Sequence, residues 1–208
     1  MQKDYKITRD KFFNTQERKS ILKTCEYLAN TDKAKGRMAW PIRYMLVRLA
    51  LFSGLRVSEI ATLRLADVRL KAIPPSIFVR CGKRGKSRDV YIDLELVVYL
   101  KQFIWQKTAV WNQSTNPDAP LFTGRDGKPF TTTALHISFK QAVRKAGLRD
   151  DLSIHSARHS YATLLYYKTK DLRHVQKQLG HSSLNITSLY ADIMSEENGV
   201  IANKILDN

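Results

Sequence analysis

Three short segments carry side chains of the kinds that handle a phosphodiester: Gly54-Leu55-Arg56-Val57-Ser58-Glu59, His155-Ser156-Ala157-Arg158-His159, and Leu179-Gly180-His181, with Tyr190 nine residues beyond His181. Arginine forks present paired N–H donors that fit two oxygens of one phosphate, imidazoles exchange protons near neutral pH, and a phenol is a nucleophile. His155 and Arg158 are three residues apart, so a helix would put them on one face. A tyrosine with a pKa near 10 is only about one part in a thousand phenolate at neutral pH, so attack by Tyr190 needs help. A positioned base contributes roughly 10² to 10⁴ in rate, and cationic donors aimed at the developing phosphorane charge supply what a metal otherwise would. No cofactor and no divalent ion is therefore expected.

The charge balance points to the same class of substrate. Against 19 acidic residues stand 35 Lys and Arg, a net +16, with an isoelectric point near 9.9. An excess of this size, spread along the chain rather than gathered in a tail, suits a folded surface that cups a nucleic-acid duplex. Composition is that of a soluble globular protein, 43% hydrophobic and 26% charged, with no apolar run approaching the roughly 18 residues of a membrane span. Met1 to Lys6 has no secretory signature, so a cytoplasmic location is expected. Cys25 and Cys81 lie far apart with no C-x-x-C pair, which makes them ordinary thiols rather than zinc ligands.

The elements that must position these groups can be read from periodicity. Apolar residues three and four apart predict helices over Thr15 to Asn30, from about Pro41 to Ser53 with Gly54 as the stop, and onward through Val57, Ile60 and Leu63. Ser76 to Arg80 and Asp89 to Ile92 read as the strands of a hairpin with a basic tip, Gly82 to Arg88. A helix from Leu94 to Lys107 follows, then a polar loop around Asn112, Ser114, Asn116 and Pro117. After a turn at Asp126-Gly127, Thr132 or Thr133 is expected to cap a helix that reaches Ala146 and stops at Gly147. Three short helices complete the pattern, over roughly His155 to Tyr167, Leu172 to Leu179, and Leu184 to Tyr190. The expected fold class is mainly α with one small antiparallel β-sheet.

These motifs together resemble the tyrosine recombinase, or phage integrase, family. The resemblance spans most of the chain and rests on G-L-R-x-S-E at Gly54 to Glu59, a hairpin lysine near Lys83, H-x-x-R-H at His155 to His159, and L-G-H-x(8)-Y at Leu179 to Tyr190. Singly each is weak, but four in this order are specific. One departure is Ala157, where many relatives carry leucine, which alters packing behind Arg158 rather than chemistry.

The resemblance implies the tyrosine recombinase catalytic-domain fold and a site-specific recombinase that cleaves and rejoins DNA through a 3′-phosphotyrosine. On that reading Arg56 and Arg158 grip the scissile phosphate, Tyr190 attacks it, His155 exchanges the nucleophile's proton and His181 hydrogen-bonds a phosphate oxygen. Lys83 is the general acid for the 5′-oxygen, although Lys86 is an alternative; Arg84, Lys86 and Arg88 are expected to contact DNA. Glu59 is read either as a brace for Arg56 or a histidine, or as a carboxylate on a helix surface. His159 is expected to support the site from behind. The chain is read as one catalytic domain over residues 1–208 without a separate N-terminal DNA-clamping domain. Residues 191–208 are read as a tail that packs on a neighbouring protomer of a tetramer or on its own core, and an accessory DNA-binding protein is a further candidate partner. Three rivals remain at this stage: a type IB topoisomerase-like enzyme, a non-catalytic binder that uses Leu172 to Tyr190 as a helix-turn-helix, and an inactive recombinase relic retained as an architectural binder.

Overall fold

The computed structural model describes residues 11–80 and 87–181. Seven helices and three strands occur among them: α1 (Thr15–Ala34), α2 (Ala39–Ser53), α3 (Val57–Ala61), β1 (Val68–Arg69), β2 (Ser76–Val79), β3 (Arg88–Tyr91), α4 (Leu94–Trp105), α5 (Thr132–Lys145), α6 (Ile154–Thr169) and α7 (Leu172–Leu179). The strands form one antiparallel sheet in the order β1-β2-β3, with Ile77 opposite both Val68 and Val90. The class is therefore the expected one, helices around a small antiparallel sheet. The helix expected over Leu184 to Tyr190, the hairpin tip from Gly82 to Lys86, Cys81 and the tail at 191–208 lie outside the described residues.

Helix α2 is the pillar of the fold. Every residue from Tyr44 to Leu51 is buried, so this helix is covered on all sides, as a helix apolar nearly all round must be. It packs against α1, α4, α5 and α6. Its one buried charge, Arg48, lies over the Tyr99 ring and pairs with Glu95 at 3.0 Å. The main core runs from Phe13 to Ala157, while Phe12, Ala162, Val175 and Leu179 form a smaller cluster that docks α7 on α6.

The structure refines several expected boundaries. Asn14, with Glu17, makes the capping box that starts α1, and that helix continues one turn past Asn30. Thr131, rather than Thr132 or Thr133, caps α5: its hydroxyl accepts the Ala134 N–H, so the two following threonines are already helical. Leu63 falls outside α3, which ends after five residues, and a 3₁₀ turn at Leu65–Asp67 leads into the unexpected edge strand β1. Helix α4 passes into a π turn over Gln106–Val110.

Candidate active site

Arg56 occupies the N-cap position of α3, two residues after the glycine that ends α2. Gly54 adopts φ +65, and a Cβ there would run into the Tyr161 ring of α6 and stand 2.7 Å from Leu179 Cδ2 of α7, so both the turn and the close approach of these helices require glycine. Glu59, one turn into α3, accepts the Arg56 backbone N–H on Oε2 and Arg56 Nη1 on Oε1, each at 2.8 Å. The remaining Arg56 arm, Nη2, donates to the Gly180 carbonyl at 3.1 Å. Of the alternatives for Glu59, the structure therefore selects the brace for Arg56. Its side chain is 3% exposed, which rules out a surface carboxylate.

Arg158 reaches the same place from α6. It is 6% exposed. Nη1 donates to the Gly54 carbonyl, Nη2 donates to the Leu179 carbonyl at 2.9 Å, and Nη1 stands 3.9 Å from Glu59 Oε2. Each of the three sequence motifs is thus tied to the other two: Arg158 bonds the first through Gly54 and the third through Leu179, and Arg56 bonds the third through Gly180.

His181 follows the left-handed Gly180 that ends α7, with its N–H on the Gln176 carbonyl at 3.1 Å. Burial, then the charges of Arg158 and Arg56, push its imidazole down to about 3. His159 sits behind Arg158 with its ring edge-on to Phe12 at 6.0 Å, and burial followed by the Arg158 charge pushes it down to about 4. Values this low leave both rings neutral at neutral pH, each with one donor and one acceptor nitrogen. His155, the second residue of α6, is exposed on its rim. Burial of part of the ring, then His136 and Arg158, hold it below the ordinary histidine value.

Arg88, one of the residues expected to contact DNA, turns into the site. Its side chain is 13% exposed; Nη1 and Nη2 grip Glu59 Oε1 and Oε2 at 2.8 and 3.0 Å, and Nε donates to the Gln178 carbonyl at 3.2 Å. The reason is strand alternation: Arg88 shares a sheet face with buried Val90, so its side chain turns inward, and the buried carboxylate there supplies its counter-charge. Glu59, which burial alone would raise, is held below the usual carboxylate value by Arg88, the Arg56 N–H and Arg158. Tyr190, Lys83, Arg84 and Lys86 lie outside the described residues.

Two groups have no counterpart in the sequence motifs. His136 of α5 packs beside His155, ring centroids 5.1 Å apart. Gln178 extends β3 as a side-chain rung, accepting the Tyr91 N–H at 3.2 Å and donating to the Tyr91 carbonyl at 2.6 Å. The α7 periodicity that buries Val175 and Leu179 carries Gln178 inward with them, the available hint that this glutamine was structural.

The arrangement can be set beside known proteins. The model of the phage integrase family matches residues 11–197. The chain belongs to the phage integrase family. Among its relatives, a tyrosine recombinase of Thermosipho africanus is 32% identical over 152 residues, 73% of this chain and 50% of that protein. Tyrosine recombinase XerH of Campylobacter jejuni is 35% identical over 150 residues, 70% of this chain and 40% of that one. The crystal structure of a XerH recombinase bound to palindromic difH substrate, a post-cleavage complex, superposes with a TM-score of 0.75 at 27% identity, covering 95% of this chain and 53% of that chain. A lambda integrase tetramer on a Holliday junction shares the fold at a TM-score of 0.62 and 16% identity, over 86% of this chain and 47% of that one. The family member thus spans about half the length of the curated relatives it matches.

Proposed function

We propose that this phage integrase family member is the catalytic domain of a site-specific recombinase that breaks and rejoins double-stranded DNA through a 3′-phosphotyrosine at Tyr190. The observation that carries the reading is the convergence of Arg56 and Arg158, from segments a hundred residues apart, on either side of one buried carboxylate, with neutral His181 beside them. Two guanidiniums against one acid leave the pocket cationic, and Arg88 adds a further positive charge to it. That is the electrostatic complement of a phosphodiester acquiring charge as it becomes five-coordinate.

On this reading the non-bridging oxygens bind Arg56 and Arg158, and His181 donates to one of them. The Tyr190 hydroxyl oxygen bonds to phosphorus as its proton passes toward His155, and the bond from phosphorus to the 5′-oxygen breaks while Lys83 or Lys86 protonates that leaving group. The phosphoester retains the energy of the broken linkage, so a 5′-hydroxyl from another strand can reverse the step without ATP. Duplex DNA is the proposed partner and a tetramer on DNA the proposed assembly; relatives crystallised on DNA, one of them as a tetramer, support both. The core continuous from Phe13 to Ala157 supports reading the chain as one catalytic unit. Among the described residues no helix is long and apolar enough to cross a membrane, and action on DNA fits a cytoplasmic location.

The deciding experiment incubates the protein with supercoiled plasmid in EDTA, denatures it in detergent and looks for protein linked to DNA. Wild type should give the adduct, and Tyr190→Phe should bind DNA with similar affinity but give none. Equal adduct from both proteins removes Tyr190 as nucleophile, and binding without adduct on any recovered target site returns the chain to the class of DNA-binding modules.

A further inference from the structure

The two oxygens of Glu59 accept four hydrogen bonds. Oε1 takes Arg56 Nη1 and Arg88 Nη1, both at 2.8 Å, while Oε2 takes the Arg56 N–H at 2.8 Å and Arg88 Nη2 at 3.0 Å. That fills the roughly four lone-pair positions of an ionised carboxylate. Arg158 Nη1 stands 3.9 Å from Oε2, a length of charge attraction without a hydrogen bond. Half of what saturates Glu59 comes from Arg88. Arg88 is itself fixed, with Nε on the Gln178 carbonyl and its guanidinium so close to Gly180 that a Cβ there would come within 2.9 Å.

We infer that Arg88 is a positioning residue for the phosphate-binding arginines: by filling one acceptor position on each oxygen of Glu59, it fixes the carboxylate on Arg56 and keeps it from closing on Arg158. The inference rests on the proposed reading of Arg56 and Arg158 as phosphate ligands. Without Arg88, a carboxylate that is 3% exposed loses two of its four hydrogen bonds. A buried charge left short of partners is costly, and Arg158 Nη1 already stands 3.9 Å from it. Each donor Arg158 turned to Glu59 is one withdrawn from an entering phosphate. Lysine is a poor replacement, since one ammonium cannot span both carboxylate oxygens and the Gln178 carbonyl with the geometry of a planar fork.

The test compares wild type, Arg88→Met, Glu59→Gln and the double variant for initial rate of adduct formation on supercoiled plasmid. Arg88→Met should slow the wild type by about 100-fold, the lower end of what losing one aimed donor costs. In the Glu59→Gln background the same change should cost less than about threefold, because a neutral amide has no charge to draw Arg158 away. Equal losses in both backgrounds overturn the proposal and leave Arg88 as a brace of the fold. A second readout needs no cleavage: inorganic phosphate titrated against each protein, followed by the His181 imidazole signals in NMR. Affinity should fall in Arg88→Met and recover in the double variant; unchanged affinity in Arg88→Met, or no phosphate response in wild type, overturns the proposal. Should Arg88→Met not fold, Arg88→Lys takes its place, with weakened phosphate binding expected and wild-type binding fatal. Absence of adduct from wild type counts against the recombinase reading alone, and the titration then decides the role of Arg88.

Discussion

Gly180 lies against the guanidinium of Arg88, so closely that a Cβ built on it would stand 2.9 Å from Nε, Cζ and Nη1 alike. The same residue has φ +65 and lends its carbonyl to Arg56 Nη2. Gly180→Ala therefore meets two penalties, the left-handed backbone at about 1–2 kcal/mol and displacement of Arg88 from Glu59. Denaturant melts should show the first. Adduct formation under conditions where the variant is fully folded should show the second, as a further loss of about tenfold or more. Wild-type rate in a folded Gly180→Ala protein would mean that Arg88 can move without consequence.

Arg56 and Arg158 should separate in what their loss does to the fold. Arg56 is one-quarter exposed and hangs on Glu59 and Gly180, whereas Arg158 is buried and joins the end of α2 to the end of α7 through the Gly54 and Leu179 carbonyls. Both alanine variants should lose adduct formation by about 10² or more. Arg158→Ala should in addition lose about 3 kcal/mol of stability, because it orphans buried carbonyls and leaves Glu59 with less counter-charge. Arg56→Ala should lose less, about 1–2 kcal/mol, because Glu59 gives up one of its four hydrogen bonds but keeps both arms of Arg88 and the backbone N–H at position 56. Equal melting of the two variants would contradict the bridging role of Arg158.

The difference between those arginines marks what could be read from the chain. The residues Arg56, His155, Arg158 and His181 were legible as types at particular spacings, and the helices that carry them followed from apolar periodicity. What holds them was not legible, because Arg158 is anchored by backbone carbonyls of Gly54 and Leu179, and a carbonyl has no residue type. Arg88 reads from the sequence as one of several basic hairpin residues facing DNA, although its two-residue offset from Val90 places it on the core face. The Glu59 pairing could not be anticipated, since it requires β3 and α3 to meet across the end of α7, a tertiary fact with no local signature. A run of three threonines offers the same capping chemistry in three registers, so sequence alone does not single out Thr131.

Acid should destabilise the protein in a window set by its histidines. An unfolded imidazole titrates near 6.5, whereas His159 and His181 are pushed down to about 4 and about 3, burial being the larger cause in each and the Arg158 charge the next. As pH falls below 6.5 the unfolded chain takes up protons that the folded chain refuses, so stability is complete above about 6.5 and is lost progressively toward those lower values. Glu59 works in the same direction, but only below the ordinary carboxylate range, where its lowered folded value makes stability fall as it is protonated. Between pH 7.5 and pH 5 the loss therefore reports the histidines, at most about 2 kcal/mol for each of the two rings. His159→Asn should shrink it. A melting temperature independent of pH across that interval would show that neither ring is buried neutral in solution.

His136 offers a last and more local test. Its ring centroid lies 5.1 Å from that of His155, and after partial burial it is the larger of the two charges that hold His155 below the ordinary value, ahead of Arg158. If His155 accepts the Tyr190 proton, cleavage needs its neutral form, and the acid limb of the rate profile follows the His155 titration. Replacing His136 by glutamine removes one positive charge that would compete with protonation of His155. The His155 value should then rise, moving the acid limb to higher pH and lowering the rate at pH 6 while leaving the plateau above pH 8 within about threefold of wild type. Adduct formation measured from pH 5.5 to 8.5 in both proteins reads this directly. A profile displaced to lower pH, or unmoved, would mean that another group sets the acid limb and that His155 is not the proton acceptor.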